Sequence, residues 1–366
     1  MNQAFLDKVK HLQEPNMPSS YEEHDCIFVM KNVSDKVSEM NTEEKEANIS
    51  KGVHYSEMLP KEYYPSKEYL NLFYKSLSAS ALSIAQHVAN VAELIVKEKG
   101  KDVILVSLAR AGTPIGVLIK KYIQFKYGIF APHYSISIIR GKGFDENAVA
   151  YIVNKHQSAN LQFIDGWTGK GAINNVLKEA VLDFKEKYDV ELDGELAVLA
   201  DPSQATSIYG TREDFLIPSA CLNSTVSGLV SRTFHRDDVI GEHDYHGAKY
   251  YEEWEKVDVS FFFIHEVSRY FRYLQTVDLE KGEVVNSGMK EVLSIQEKFG
   301  IKDINKIKPG VGETTRVLLR RVPWKILVDD LNNPHLEHIL MLAKDRNVSV
   351  EVFKDMNYSC MGLIKE

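Results

Sequence analysis

The sequence predicts an α/β protein: a mostly parallel sheet with helices on both faces, followed by a small C-terminal α/β sandwich. Three observations carry this reading. Short β-rich apolar runs alternate with helical patterns between residues 102 and 201, the pattern of a doubly wound sheet. Glycine-bearing loops follow the ends of those runs. A closing β-α-β spacing begins near Lys308.

Residues 1–75 are polar, are punctuated by Pro15, Pro18, Pro60 and Pro65, and read as an extension or cap. Within a main domain placed at 76–300, Ile84, Ala85, Val88, Val91, Ala92 and Ile95 recur at helical spacing, and Gly100 follows as a C-cap. DVILVSL (102–108) is a candidate buried strand and residues 113–128 the next helix. HYSISII (133–139), LQFID (161–165) and ELAVLAD (195–201) are three further strands. A helix after the third strand has Ile173, Val176, Leu177, Ala180, Val181 and Phe184 on its apolar face. Residues 249–300 read as helical or mixed. The last domain is placed at 305–366, with KILVDD (325–330) and VSVEVF (348–353) flanking a helix.

A chain of 366 residues suits two or three domains. Its formal charge of −8 argues against a surface coated for nonspecific nucleic-acid binding, though a local basic patch lies near the C-terminus. No apolar run approaches the roughly 18–20 residues that cross a bilayer, and the N-terminus lacks an apolar signal core. Cys26, Cys221 and Cys360 lie far apart without a CxxC pair, which suggests neither a disulfide framework nor a zinc knuckle. The expectation is a cytoplasmic protein without membrane contact, with a homo-oligomer left open.

Ligands of such sheets bind outside the carboxyl ends of the strands. There, Phe163 to Gly171 (FIDGWTGKG) joins a strand end, a glycine-rich turn and a helix N-terminus, which together offer N–H groups and a positive dipole end to an anion. Thr168 adds a hydroxyl and Lys170 a charge, while Asp165 is a candidate for ribose hydroxyls or Mg²⁺. The bland alternative is a tight turn in which glycines relieve sterics. A second loop, Ser107 to Pro114 (SLARAGTP), places Arg110 beside small residues, as close approach to pyrophosphate requires.

This pair of loops resembles the type I phosphoribosyltransferases. The chain more broadly resembles a bacterial stress-linked family described both as a tellurite-resistance-associated phosphoribosyltransferase and as the cysteine protease StiP. GVHYSEMLP, SLARAGTPIG, SISIIRGKGFDE, FIDGWTGKGAI, DYHGAKYY and the long run from LADPSQATSIYGTREDF to LVSRT carry the match, over roughly residues 20–300. The resemblance implies that Arg110 and the amides of Ala111 and Gly112 hold pyrophosphate. It implies that Thr168, Gly169, Lys170 and Gly171 hold a 5′-phosphate of phosphoribosyl pyrophosphate or a nucleotide. Arg140 and Lys142 lie in a loop placed to close over the site, or form a solvated turn. The usual loop opens with two adjacent acidic residues, whereas here Asp165 alone precedes Gly166.

Cys221 lies in a Ser- and Thr-rich segment, with His235 downstream. A thiolate nucleophile needs a base and an orienting partner. His235, His243 or His246 is the candidate base, and Asp201, Asp237 or Asn223 the orienter; a small buried residue is the bland reading of the cysteine. The polar cluster His235, Asp237, Asp238, His243, Asp244 and His246 also has metal-ligand residue types. Asp201, Thr206, Ser207 and Arg212, after the fourth strand, either contact a nucleotide or form a structural loop.

Lys308 to Arg316 (KPGVGETTR) resembles the Pelota and kink-turn-binding ribosomal-protein family, in which a Gly-x-Asn-Glu-x-Thr-Lys segment opens a helix against RNA. Here Gly312 stands for Asn and Arg316 for Lys. The resemblance implies that Glu313 accepts from a base edge, with Gly310, Gly312 and Thr314 shaping the segment. Lys308, Arg316, Arg320 and Arg321 would meet phosphates of structured RNA. The leading expectation is a phosphoribosyltransferase-type enzyme coupled to an RNA module in a stress response. Its rivals are a cysteine peptidase using Cys221 and a noncatalytic nucleotide sensor.

Overall fold

A computed structural model of the chain describes residues 1–275, 278–354 and 356–365; the side chains of Thr42, Glu46 and Arg320 lie outside the described set. Six parallel strands form the main sheet, in the order Ile27–Phe28, His133–Ile136, Ile104–Leu108, Leu161–Trp167, Leu196–Ala200 and Ile208–Thr211. Side chains alternate along a strand, so each inner strand feeds two cores. Ile104, Val106, Phe163, Leu196 and Val198 pack with the helices Glu146–His156 and Ala172–Tyr188. Leu105, Ile164, Ala197 and Leu199 face the opposite way, onto Lys67–Lys99 and Gly112–Tyr127. The predicted parallel sheet with helices on both faces therefore stands.

The four inner strands fall where the apolar runs put them, and Gly100 caps its helix by donating its N–H to the Val96 carbonyl. The two edge strands were not legible: Ile27–Phe28 has two residues, and Ile208–Thr211 alternates buried and part-exposed positions inside a polar segment. The helix before Gly100 begins much earlier than its apolar stripe. Ser66 caps it by accepting from the Tyr69 N–H. At 33 residues, Lys67–Lys99 is long and apolar enough to cross a membrane by length and composition, which corrects the expectation of no such run. Its apolar face is taken up by the core, with Leu77, Ile84, Val88, Val91 and Ile95 buried.

The C-terminal unit is a four-stranded mixed sheet ordered Ile307–Pro309, Cys360–Ile364, Pro323–Val328 and Ser349–Val352. The helix Ser287–Phe299 covers one face, packing Val292 and Ile295 against Ile307, Leu327, Met361 and Leu363. On the other face lie Val311–Arg320 and Glu337–Asp345. That second core is continuous with the main one, since Val311, Leu318, Ile326 and Ile339 belong to the same buried cluster as the Lys67–Lys99 helix. The Tyr69 hydroxyl also donates to the Leu319 carbonyl at 2.6 Å. The two units are thus packed together through apolar contacts.

Candidate active site

Strands Ile104–Leu108 and Leu161–Trp167 are paired with Ser107 opposite Ile164, so the two singled-out loops leave the same sheet edge. They converge too closely to enclose a ligand between them. A Cβ on Gly112 would stand 2.4 Å from the Ile164 carbonyl oxygen. The Ala111–Gly112 backbone therefore lies directly on Ile164–Asp165, an approach open only to glycine.

The groups offered to a phosphate already have partners. Arg110 pairs with the Glu62 carboxylate and donates to the Val230 carbonyl at 3.3 Å. Thr168 donates to Asp201 and accepts from the Ser203 hydroxyl at 2.7 Å. Asp201 in turn holds Arg212 and takes the N–H groups of Ala205 and Thr206. These contacts make the Asp201–Arg212 segment a structural loop. Lys170 donates to the Ile304 carbonyl at 2.7 Å and more weakly to that of Ile307, while the Gly169 carbonyl accepts from Tyr358 at 2.6 Å. Gly171 sits at φ 76°, capping Ala172–Tyr188. The C-terminal unit thus closes this turn, leaving a void of 10 Å³ between Trp167–Thr168 and Pro309–Glu313, room for about one water.

Electrostatics at the turn agree. Burial pushes Lys170 down to about 8, helped by Lys308 and Arg140. Burial also pushes the Asp165 carboxyl up to about 7, against the Gly166 N–H that it accepts at 2.7 Å. Among the described residues no group of three His, Cys, Asp or Glu is placed to hold a metal ion. A half-buried, easily protonated carboxyl outside any such group does not fit the Mg²⁺ expected at Asp165. The polar cluster further on is likewise broken up: Asp238 pairs with Arg236, Asp244 with Lys31, and His243 stacks on His11, leaving His235 beside His246 and Asp237.

Beside the closed turn lies an open cleft of 830 Å³, within the usual range for small-molecule and peptide sites. Its main-domain wall includes Glu62, Arg110, Trp167, Cys221, Ser224 and Arg232; Lys308, Glu313, Arg316 and Arg321 form the other wall. Seven Lys and Arg face two Glu there, in a chain whose formal charge is −8. Glu62 is held on both sides: one oxygen pairs with Arg110, and the other accepts from the Ser224 N–H and hydroxyl at 3.3 and 3.0 Å.

Cys221 ends the short turn Pro218–Cys221, which packs between Lys67–Lys99 and Val311–Arg320. It is fully buried in the cleft wall. None of the residues described as lining the cleft is a histidine. His235 lies elsewhere, 3.2 Å from Lys142 Nζ, against the His246 ring and with its N–H on the Ser56 carbonyl. Burial and Lys142 hold His235 below the usual histidine range. His246 is fixed by Ser137 and Asp145. The structure does not bring His235, His243 or His246 to the cleft that Cys221 lines.

Arg140 turns towards the C-terminal unit, donating to Asn305 at 3.2 Å, with its backbone N–H on the Tyr55 hydroxyl. The predicted RNA segment also faces inward. The Val311 N–H donates to Asp214 at 2.8 Å, Gly312 stands against Ala220 and Trp167, and Thr314 is buried. Lys308, Glu313 and Arg316 reach the cleft, whereas the Arg320 side chain lies outside the described residues. Sequence reasoning missed Glu62 and Arg232. Glu62 meets partners 48 and 162 positions away, and no local signal marks it. Arg232 stands inside the quoted LVSRT run, where its charge amid apolar and hydroxyl residues was the available cue.

A family model described as "Tellurite-like stress resistance cysteine protease StiP" matches residues 19–268. A "PELOTA RNA binding domain" model matches residues 286–366. The chain is also similar to the "Cysteine protease StiP" of Acinetobacter baylyi, 32% identical over 362 residues that cover 93% of each protein. These findings overturn the expected phosphoribosyltransferase function, because both the family and the relative are named as cysteine proteases. The closed turn at Lys170 gives a physical reason for the correction: the groups meant for a phosphate hold the C-terminal unit instead. With its match spanning most of the chain, the protein belongs to the StiP family of tellurite-like stress resistance cysteine proteases and carries a Pelota RNA-binding domain.

Proposed function

We propose that the chain is a cysteine peptidase working in the cleft between its two units, with Cys221 as nucleophile and with RNA meeting the Pelota domain at the mouth of that cleft. One observation carries the choice of nucleophile. All three cysteines are buried in one apolar cluster, but Cys221 lines the cleft, whereas burial raises the Cys26 and Cys360 thiols well above the usual range. A thiol held in that way does not ionise near neutral pH.

In this reading the Cys221 sulfur adds to the scissile carbonyl carbon, the C–N bond breaks, and a proton passes to the departing amine. Water then cleaves the thioester, releasing the acid and restoring the thiol. The carboxylates available to move the proton are Glu62, fixed by Arg110 and Ser224, and Glu313. Because the thiol is covered, attack follows a local opening of the 218–226 wall.

The test is peptide cleavage by the full chain. Cys221→Ala is expected to lower the rate at least about a thousandfold, while His235→Ala stays within about twofold. Undiminished cleavage by Cys221→Ala defeats the reading.

A further inference from the structure

Arg232 lines the cleft. Among the described residues none accepts a hydrogen bond from its guanidinium or forms an ion pair with it, in contrast to Arg110 on Glu62 and Arg316 on Glu313. Its guanidinium carbon lies over the Tyr55 ring, 5.0 Å from the centroid. A cation over an aromatic ring keeps N–H donors for a further partner. Arg110 stands close by, since it donates to the Val230 carbonyl two residues before Arg232. Burial, with Arg110 beside it, holds Arg232 down to about 10. Glu62 attracts Arg232 but is itself paired with Arg110; an arginine kept largely from water without an ion pair of its own is costly, and a bound anion relieves that cost.

We infer that Arg232 is a specificity-determining residue of the cleft, holding a carboxylate of the peptide substrate: an Asp or Glu side chain, or the C-terminal carboxylate. This rests on the peptidase reading, because carboxylates are the anions that an unmodified peptide brings. The chemistry fits the donor: a planar fork of N–H groups matches two carboxylate oxygens. The excess of cations lining the cleft acts in the same direction, drawing acidic peptides in from a protein that is acidic overall.

The test is calorimetric binding to the full-length, non-cleaving Cys221→Ala protein. Three peptides of one length are compared: a blocked peptide with a central Glu, its Gln counterpart, and the Gln peptide with a free C-terminus. One carboxylate peptide is expected to bind roughly ten- to a hundredfold tighter than the blocked Gln peptide, and which one it is identifies the source. Arg232→Gln removes the difference and Arg232→Lys keeps part of it, each variant first checked for an unchanged melting profile. Should Arg232→Gln fail to fold, Arg232→Lys alone decides, since loss of bidentate geometry must narrow the difference. Equal binding of all three peptides, a preference that survives at position 232, or no carboxylate peptide binding at millimolar concentration overturns the inference. Competition by inorganic phosphate without discrimination among the peptides overturns it too. Because no cleavage is read, this result stands apart from the Cys221 activity test.

Discussion

The Arg316 guanidinium of the C-terminal unit lies 4.8 Å from the ring centroid of Trp167, at the end of the strand Leu161–Trp167. The same side chain donates to the Ala220 carbonyl at 3.3 Å and pairs with Glu313 at 2.9 Å. A residue of the RNA-binding domain thereby touches both the strand end and the turn that carries Cys221. A double-mutant cycle with Trp167→Ala and Arg316→Ala is expected to give a coupling of about 0.5–2 kcal/mol in denaturant unfolding of the intact chain. Additive effects would mean that the stacking holds nothing.

Asp165 makes stability depend on pH. Its carboxyl is pushed up to about 7 by burial, from an ordinary 3.8. Between those values the folded chain keeps a proton that the unfolded chain has released. The site's contribution is therefore full below about pH 4 and is lost as pH rises through 7. Its upper bound is about 4 kcal/mol. Asp165→Asn keeps a carbonyl for the Gly166 N–H and cannot ionise, so it is expected to flatten the fall in stability from pH 4 to 8. Chemical denaturation across that range decides; an unchanged slope would place the titration elsewhere.

The sheet was legible because Val106, Phe163 and Val198 stand in short apolar runs that alternate with helical patterns, as buried parallel strands do. Both loops were legible for the same reason, since a glycine after a strand end has few other uses. What those loops do was not. Whether Lys170 meets a phosphate or the Ile304 carbonyl depends on how the C-terminal unit docks, and docking is set by contacts more than a hundred residues apart. The same holds for Cys221. Its place in the cleft wall comes from packing of Pro218–Cys221 between two helices, whereas His235, near in sequence, is drawn off by Lys142 and His246.

The three thiols are expected to differ in reactivity. All three are buried in one apolar cluster, but Cys26 and Cys360, whose thiols are raised by burial, are not among the residues described as lining the cleft, so alkylation there waits for global unfolding. Cys221, in the wall of an open cleft, needs only a local opening and should be labelled first. Iodoacetamide labelling under native conditions, mapped by mass spectrometry over time, reads this order. Cys26 or Cys360 reacting as fast as Cys221 would contradict it.

RNA and peptide should compete. Lys308, Glu313, Arg316 and Arg321 belong to the Pelota domain and line the same cleft as Cys221. An RNA held by these residues lies across the mouth through which a peptide must pass. Structured RNA is therefore expected to raise KM for peptide cleavage without lowering kcat, the pattern of exclusion rather than damage. Lys308→Ala and Arg316→Ala should weaken RNA binding in a filter assay and reduce the salt slope, each by roughly 0.7–0.9 if it neutralises one phosphate. The same variants should relieve the inhibition. RNA that binds tightly while KM stays constant would show that the RNA surface lies away from this cleft.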